Sequence, residues 1–316
     1  MTPTRRDRRL RPLSFGLTNG KGGVGKTTSV THLGALFAAA GYRVLLCDFD
    51  PQGNLRSDLG YATHDGRELF AALLTGTEPP IISNVGGRPN LDVVPGGLTL
   101  FDLAPMMIAR QQTQPGSPRL SDLILASLRH VADNYDIIIF DTPPGDLAII
   151  DAVLELVDAI IIPVKADDAS FEGVELIAKR FAQARDGGGG QPAVNPGLRL
   201  AGVLLFDISS RAENLARVAR EAVEEIIGDT APVFQQRIRH LETAAYDTRR
   251  FGLLAHELEQ HTDHAKAERL RALRTGERVN DLPLVRTASG LAEDWQNLSK
   301  EVLLRLAELD SEEIPA

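Results

Sequence analysis

The chain has one cysteine, Cys47, in 316 residues, so no internal disulfide framework can form. Cys47 lies inside an apolar run, where a small core residue is its expected role. The seven histidines show no metal-ligand spacing with it. No apolar run approaches the roughly 20 residues that a membrane helix needs. No secretory signal is legible either, because the arginine-rich start MTPTRRDRRLR has no apolar segment behind it. An excess of positive charge is also missing. The formal net charge is −9, which excludes a protein coated in basic residues. It leaves room for a local basic patch, since electrostatic steering depends on where charges sit.

The chain is long enough for a large buried core, and 43% of its residues are hydrophobic. Residues 1–12 read as a flexible basic arm. From Leu13 short apolar runs alternate with helix-like stretches. LSFGLT, YRVLLC, LDVVP, DIIIF, AIIIPV, LAGVLLF and APVF read as strands. Helices are expected over Thr27–Ala40, Leu120–Ala132, Leu147–Val157, Val174–Ala184 and Leu215–Ile227. DGGGGQPAVNPG, at 186–197, reads as a surface loop. Several strands are apolar throughout rather than alternating, the pattern of a parallel sheet covered on both faces. The expected fold is therefore a doubly wound α/β domain, mainly parallel, over residues 13–259. Residues 260–316 are expected to form a helical extension packed on it. The stretch from Gly60 to Pro118 is the place for partner-specific surface, with Met106 and Met107 read as core rather than as part of it.

Gly20-Lys21-Gly22-Gly23-Val24-Gly25-Lys26-Thr27 fits G-x-x-x-x-G-K-[ST] and sits between a strand and a helix, as a phosphate-binding loop requires. Glycine backbone N–H groups can close around phosphate oxygens, with the helix dipole behind them. Lys26 is expected at the β- and γ-phosphates and Thr27 at Mg²⁺, with Thr28 extending the cradle. ATP and Mg²⁺ are thus the expected cofactors. That motif has no need of Lys21.

K-G-G-V-G-K-T-T resembles the deviant Walker A box of the ParA/MinD family of ATPases, closest to the Soj-like ParA branch. In that family the early lysine reaches across a dimer interface to the partner's nucleotide, which would be the role of Lys21. L-L-C-D-F-D-P-Q-G-N resembles the family's D-x-D-P-Q-G-N box. The resemblance gives Asp50 the attacking water and Asp48 the Mg²⁺ shell. I-I-I-F-D-T-P-P-G resembles a Walker B strand with its switch II, placing Asp141 near Mg²⁺. P-V-K-A-D-D-A-S-F-E-G-V resembles the stretch after the family's next strand and reads as structural.

Cluster cysteines for a nitrogenase iron protein are missing, and the C-terminal stripe of Trp295, Leu298, Val302, Leu303 and Leu306 has acidic flanks, unlike a MinD membrane helix. The ParA branch implies non-specific double-stranded DNA binding through Arg211, in F-D-I-S-S-R, and Arg237 and Arg239, in F-Q-Q-R-I-R-H, where the family reads I-P-R-N-V-R. Arg249 and Arg250 would extend that patch. Asp207 takes the position of a base- or ribose-contacting residue. The resemblance further implies an ATP-dependent homodimer with weak, stimulated ATPase activity. It also implies a ParB-like centromere-binding partner and cytoplasmic, nucleoid-associated work on plasmid or chromosomal DNA, with no membrane partner. The rival reading is a MinD-like ATPase that positions a protein or membrane-associated cargo. A metabolic ATP-dependent ligase is a third class.

Overall fold

The computed structural model describes residue 10 and residues 12–114, 116–275 and 283–311. Apart from Leu10 and Pro12, the basic arm read over residues 1–12 lies outside them.

Six strands form one sheet: β1 (Leu13–Leu17), β2 (Val44–Asp48), β3 (Leu91–Val94), β4 (Ile137–Asp141), β5 (Ala159–Val164) and β6 (Arg199–Leu205). Their order is β3-β2-β4-β1-β5-β6 and every pairing is parallel. The expected doubly wound parallel sheet is therefore what forms. Parallel strands need covered crossovers, and the helices supply them. In chain order these are α1 (Lys26–Ala39), α2 (Leu55–Leu59), α3 (Arg67–Thr75), α4 (Leu103–Thr113), α5 (Leu120–Leu128), α6 (Leu147–Leu156), α7 (Asp168–Asp186), α8 (Glu213–Ile227), α9 (Glu242–Phe251), α10 (Ala255–Thr275) and α11 (Ser289–Ser311).

The period-2 geometry of a strand explains the two cores. Leu45, Cys47, Ile138, Phe140, Ile160 and Ile162 point into one core, shared with α3 to α8. Val44, Leu46, Ile137, Ile139, Ala159 and Ile161 point into the other, shared with α1, α2, α9, α10 and α11. With both faces buried, polar strand positions need partners: Ser14 bonds Asp158 and Asp92 of edge strand β3 bonds Tyr135, while Asp48 and Asp141 stand at the C-terminal ends of β2 and β4. Cys47 is fully buried and burial pushes its thiol pKa up.

Two differences from the sequence reading have local causes. The strand expected over APVF does not form. Val233 and Arg239 make only isolated parallel bridges, to Val203 and Ile208. Pro232 has no N–H to donate, and the N–H groups of Gln235 and Gln236 go to Glu301 instead. The stretch after Gly60, where the sequence reading places only the strand LDVVP, also contains α3 and α4. Met107 there is 3% exposed and Met106 packs at the edge of the same core. Residues 259 and 260, where the extension was expected to begin, both lie inside α10.

Candidate nucleotide site

Strand order sets the site. β4 lies between β1 and β2, with Asp141 in register with both Leu17 and Asp48. The loop leaving β1 and the carboxylates ending β2 and β4 therefore meet at one end of the sheet, where ligands of such sheets bind.

Asn19 anchors the loop. Its amide donates to the Pro163 carbonyl at 2.8 Å and its oxygen accepts the Lys21 N–H at 2.9 Å. A Cβ at Gly173 would run into that oxygen, so α7 can approach only with glycine there. Gly25 caps α1 at φ +91°, and a Cβ on it would stand 2.6 Å from the Phe206 ring. Sterics and backbone conformation both demand glycine at that position. Gly22 faces Pro144 of the loop after β4, which brings that loop against the phosphate loop.

Lys26 is 6% exposed, and its ammonium donates to the carbonyls of Asn19 (3.2 Å) and Lys21 (2.9 Å). Burial lowers its pKa, while the charges of Asp141 and Asp50 oppose that shift. Lys21, five residues earlier, is exposed, and its ammonium has no hydrogen-bond or ion-pair partner among the described residues. The two lysines of one loop thus stand in opposite environments.

Thr27 Oγ1 donates to Asp141 Oδ2 at 2.7 Å. Asp48 Oδ1 accepts the Asp50 N–H at 3.1 Å, and Asp50 Oδ1 accepts the Gln52 N–H at 2.9 Å. Asp48 Oδ2 and Asp141 Oδ1 are buried with no partner. Burial pushes Asp48 well above the carboxylate range. Burial also lifts Asp141 to about 7, against the Thr27 hydrogen bond and with a further push from the Asp50 charge. Asp50 is raised by burial and partly relieved by the Gln52 N–H and Lys26. Asp141 and Asp50 act on the buried ammonium, Asp48 stands beside those two acids, and one oxygen each of Asp48 and Asp141 is orphaned. That donor set fits Mg²⁺, which takes one or two carboxylates and completes its shell with phosphate and water. Among the described residues no group of three or more His, Cys, Asp or Glu side chains could hold a metal by itself. Thr27, Asp48 and Asp141 would therefore hold the cation together with a phosphorylated ligand.

A pH dependence follows. An Asp141 titrating at about 7 is partly protonated at neutral pH, and a cation must displace that proton. Mg²⁺·nucleotide affinity is expected to rise from pH 6 to pH 8, with proton release seen as buffer-dependent heat in calorimetry. In Asp141→Asn the rise should flatten. An unchanged slope in that variant would remove Asp141 from the cation site.

A family described as an AAA domain matches residues 14–189, more than half of the chain. Over 206 residues the chain is 32% identical to the chromosome partitioning protein ParA of Caulobacter vibrioides, covering 65% of this chain and 73% of that protein. This chain belongs to the ParA family of P-loop ATPases. The fold agrees. The Cyanothece McdA(D38A)–ATP complex superposes with a TM-score of 0.67 at 20% identity, covering 92% of this chain and 96% of that one. A structure of pNOB8 ParA bound to nonspecific DNA gives 0.58 at 20% identity, with 94% and 99% covered.

Set in a ParA frame, the remaining candidate residues fall on two adjacent loops. Asp207 follows Phe206, the residue packed on Gly25, and has φ +63°, unusual for a non-glycine residue. Its carboxylate meets Lys165 Nζ and His240 Nδ1, each at 2.6 Å. Burial raises its pKa, but these two partners outweigh burial and hold it below the usual range. Lys165 lies in the stretch that the sequence marks only as structural. Arg211 is exposed and its guanidinium has no partner among the described residues. Arg237 pairs with Glu213 and reaches the Ser210 carbonyl at 3.4 Å. Arg239 makes a two-pronged pair with Asp294 of α11, Nε at 2.6 Å and Nη2 at 2.7 Å. Arg249 is 3.4 Å from Asp58, and Arg250 covers the Phe251 ring. The structure thus gathers Arg211, Arg237 and Arg239 beside β6 but leaves only Arg211 without a carboxylate. Asn19 and Asp294 carry no local signal in the sequence, because their partners lie 144 and 55 positions away.

Proposed function

We propose that this chain is an ATP-driven dimerising switch that binds DNA without sequence preference and partitions plasmid or chromosomal DNA. The observation that carries this reading is the contrast between the lysines. Lys26 closes on its own loop, whereas Lys21 holds a free ammonium out into solvent from the same loop. A charge with no work inside its own chain suits a site completed by a second copy, where Lys21 meets the partner's phosphates.

In this reading Gly20 to Thr28 cradle the ATP phosphates, and Thr27, Asp48 and Asp141 hold Mg²⁺. Mg²⁺ supplies neutralisation of phosphate charge. Asp50 orients the attacking water, and Asp207 borders the base or ribose. Hydrolysis is weak and stimulated by DNA and a ParB-like centromere-binding protein. Arg211 leads the DNA contact, with Arg237 and Arg239 on the neighbouring loop. The switch works in the cytoplasm on the nucleoid. Residues 13–259 form the ATPase domain and 260–316 its extension. Support comes from the relatives: the Caulobacter vibrioides protein is a partitioning protein, McdA forms an ATP complex, and pNOB8 ParA binds nonspecific DNA.

Binding to random double-stranded DNA with ATP, with ADP and without nucleotide tests the reading. Wild type is expected to bind only with ATP, and binding should fall steeply with salt as counterions are released. Lys21→Ala is expected to bind ATP but neither dimerise nor bind DNA. ATP-dependent dimers that ignore DNA and bind anionic vesicles would instead establish the MinD-like rival. No helix among the described residues is long and apolar enough to cross a membrane.

A further inference from the structure

Helix α11 touches both ends of the proposed switch with adjoining residues. One face of the helix is apolar. Trp295, Leu298, Val302 and Leu306 are all at or below 1% exposure. Trp295 stacks on His32 of α1, ring centroids 4.4 Å apart and planes within 20°. His32 is fully buried, and burial holds its pKa down at about 3, so the ring is neutral. Its partners then assign the tautomer. Nδ1–H donates to the Thr28 carbonyl at 2.8 Å, and Nε2 accepts the Ala255 N–H at 3.1 Å. Trp295 thereby rests on a ring that is tied to the first turn of the phosphate-loop helix.

The next face carries Gly290, Asp294 and Glu301, four and then seven positions apart, which is one side of a helix. This side receives the arginine loop. Asp294 is 5% exposed and accepts four donors: the Arg239 N–H (3.0 Å), Nε (2.6 Å) and Nη2 (2.7 Å), and the Gln236 side-chain amide (3.0 Å). Glu301 accepts the backbone N–H groups of Gln235 (2.7 Å) and Gln236 (3.0 Å). At Gly290 a Cβ would run into the Arg239 guanidinium. A further strand would have given these N–H groups to its neighbour. Here the helix takes them with carboxylates instead.

We propose that Asp294 is a positioning residue for DNA binding. It grips Arg239 so that the 235–239 loop is fixed and Arg237 and Arg211 stand at the DNA, and Arg239 acts through Asp294 rather than on a phosphate. This rests on the DNA-binding reading above. The physical ground is competition for one guanidinium. Nε and Nη2 are already spent on a buried carboxylate, and releasing them to a phosphate would leave that charge with only the Gln236 amide and the Arg239 N–H, a penalty in a buried position.

The test is a salt series of ATP-dependent DNA binding for wild type, Arg239→Gln, Asp294→Asn and the double variant, with Arg211→Ala as the phosphate-contact reference. Thermal melts and ATP affinity on each report folding. Arg239→Gln and Asp294→Asn are each expected to weaken DNA binding about tenfold, the loss of a charged hydrogen-bond set. The double variant rebuilds a neutral amide pair, so its affinity should recover to within about threefold of wild type. Its salt slope should match wild type, whereas Arg211→Ala should lower the slope by about 0.9. A double variant as weak as Arg239→Gln, with its slope lowered by about 0.9, would make Arg239 a direct phosphate contact and overturn the proposal. Tighter binding by Asp294→Asn would overturn it too, by making Asp294 a mask. Should Asp294→Asn not fold, Arg239→Gln against the double variant decides. A wild type that binds no DNA with ATP overturns the partition reading itself, and this inference with it.

Discussion

Lys26→Ala is expected to lose ATP affinity by about a hundredfold or more, the scale at which a single well-placed polar group acts in such sites. Its ammonium is almost wholly buried and is the cation that counters Asp141 and Asp50. It donates to two loop carbonyls, partners it can exchange for phosphate oxygens at little cost. Removing it leaves three acids facing an incoming polyanion with only backbone N–H groups for attraction. Lys26→Arg should fail as well, because a bulkier planar guanidinium cannot fill the place of a compact ammonium. Both variants should keep their far-UV circular dichroism, since no core contact is lost. Titration with a fluorescent ATP analogue checks the expectation, and a loss below tenfold would mean that the backbone cradle alone holds the phosphates.

Trp295→Ala is expected to cost about 3–5 kcal/mol of folding stability, the range for emptying a large aromatic site in a core. The indole is 1% exposed, stacks on His32 and has the Phe206 ring 6.3 Å away. Phe206 in turn lies against Gly25, so the cavity would open directly behind the phosphate loop. Urea denaturation of the ATP-free protein gives the number. A cost below about 1 kcal/mol would mean that α11 can peel away without disturbing α1. Leu298→Ala, one turn on, is expected to cost less, in proportion to its smaller buried surface.

The sheet was legible because its strands are buried on both faces. Five of the six are apolar along nearly their whole length and sit within two residues of where the pattern places them. The phosphate loop and the strand-end acids were legible for a related reason. In β2 and β4 the only charged residues are at the strand ends, so Asp48 and Asp141 stand out against their runs. What escaped was non-local or weakly patterned. α4 opens Leu103-Ala104-Pro105, and proline is harmless in a first helical turn but reads as a breaker in sequence. Glu301, 65 residues away in sequence, takes the Gln236 N–H just past APVF, where a longer strand would have paired it. The pairing of Arg239 with Asp294 has the same character. An arginine after a strand looks free until the helix that claims it is in place.

Cys47 has one more consequence, for how this chain can be studied. It is the sole thiol, and it is sealed in the core with its pKa raised, so it offers no thiolate to a maleimide or nitroxide reagent. The native protein is therefore already a silent background for labelling. A cysteine introduced at an exposed position such as Arg211 or Arg217 would carry the only reactive sulfur. Distances between two such labels would then test whether two copies approach when ATP is added, with no prior removal of the natural residue.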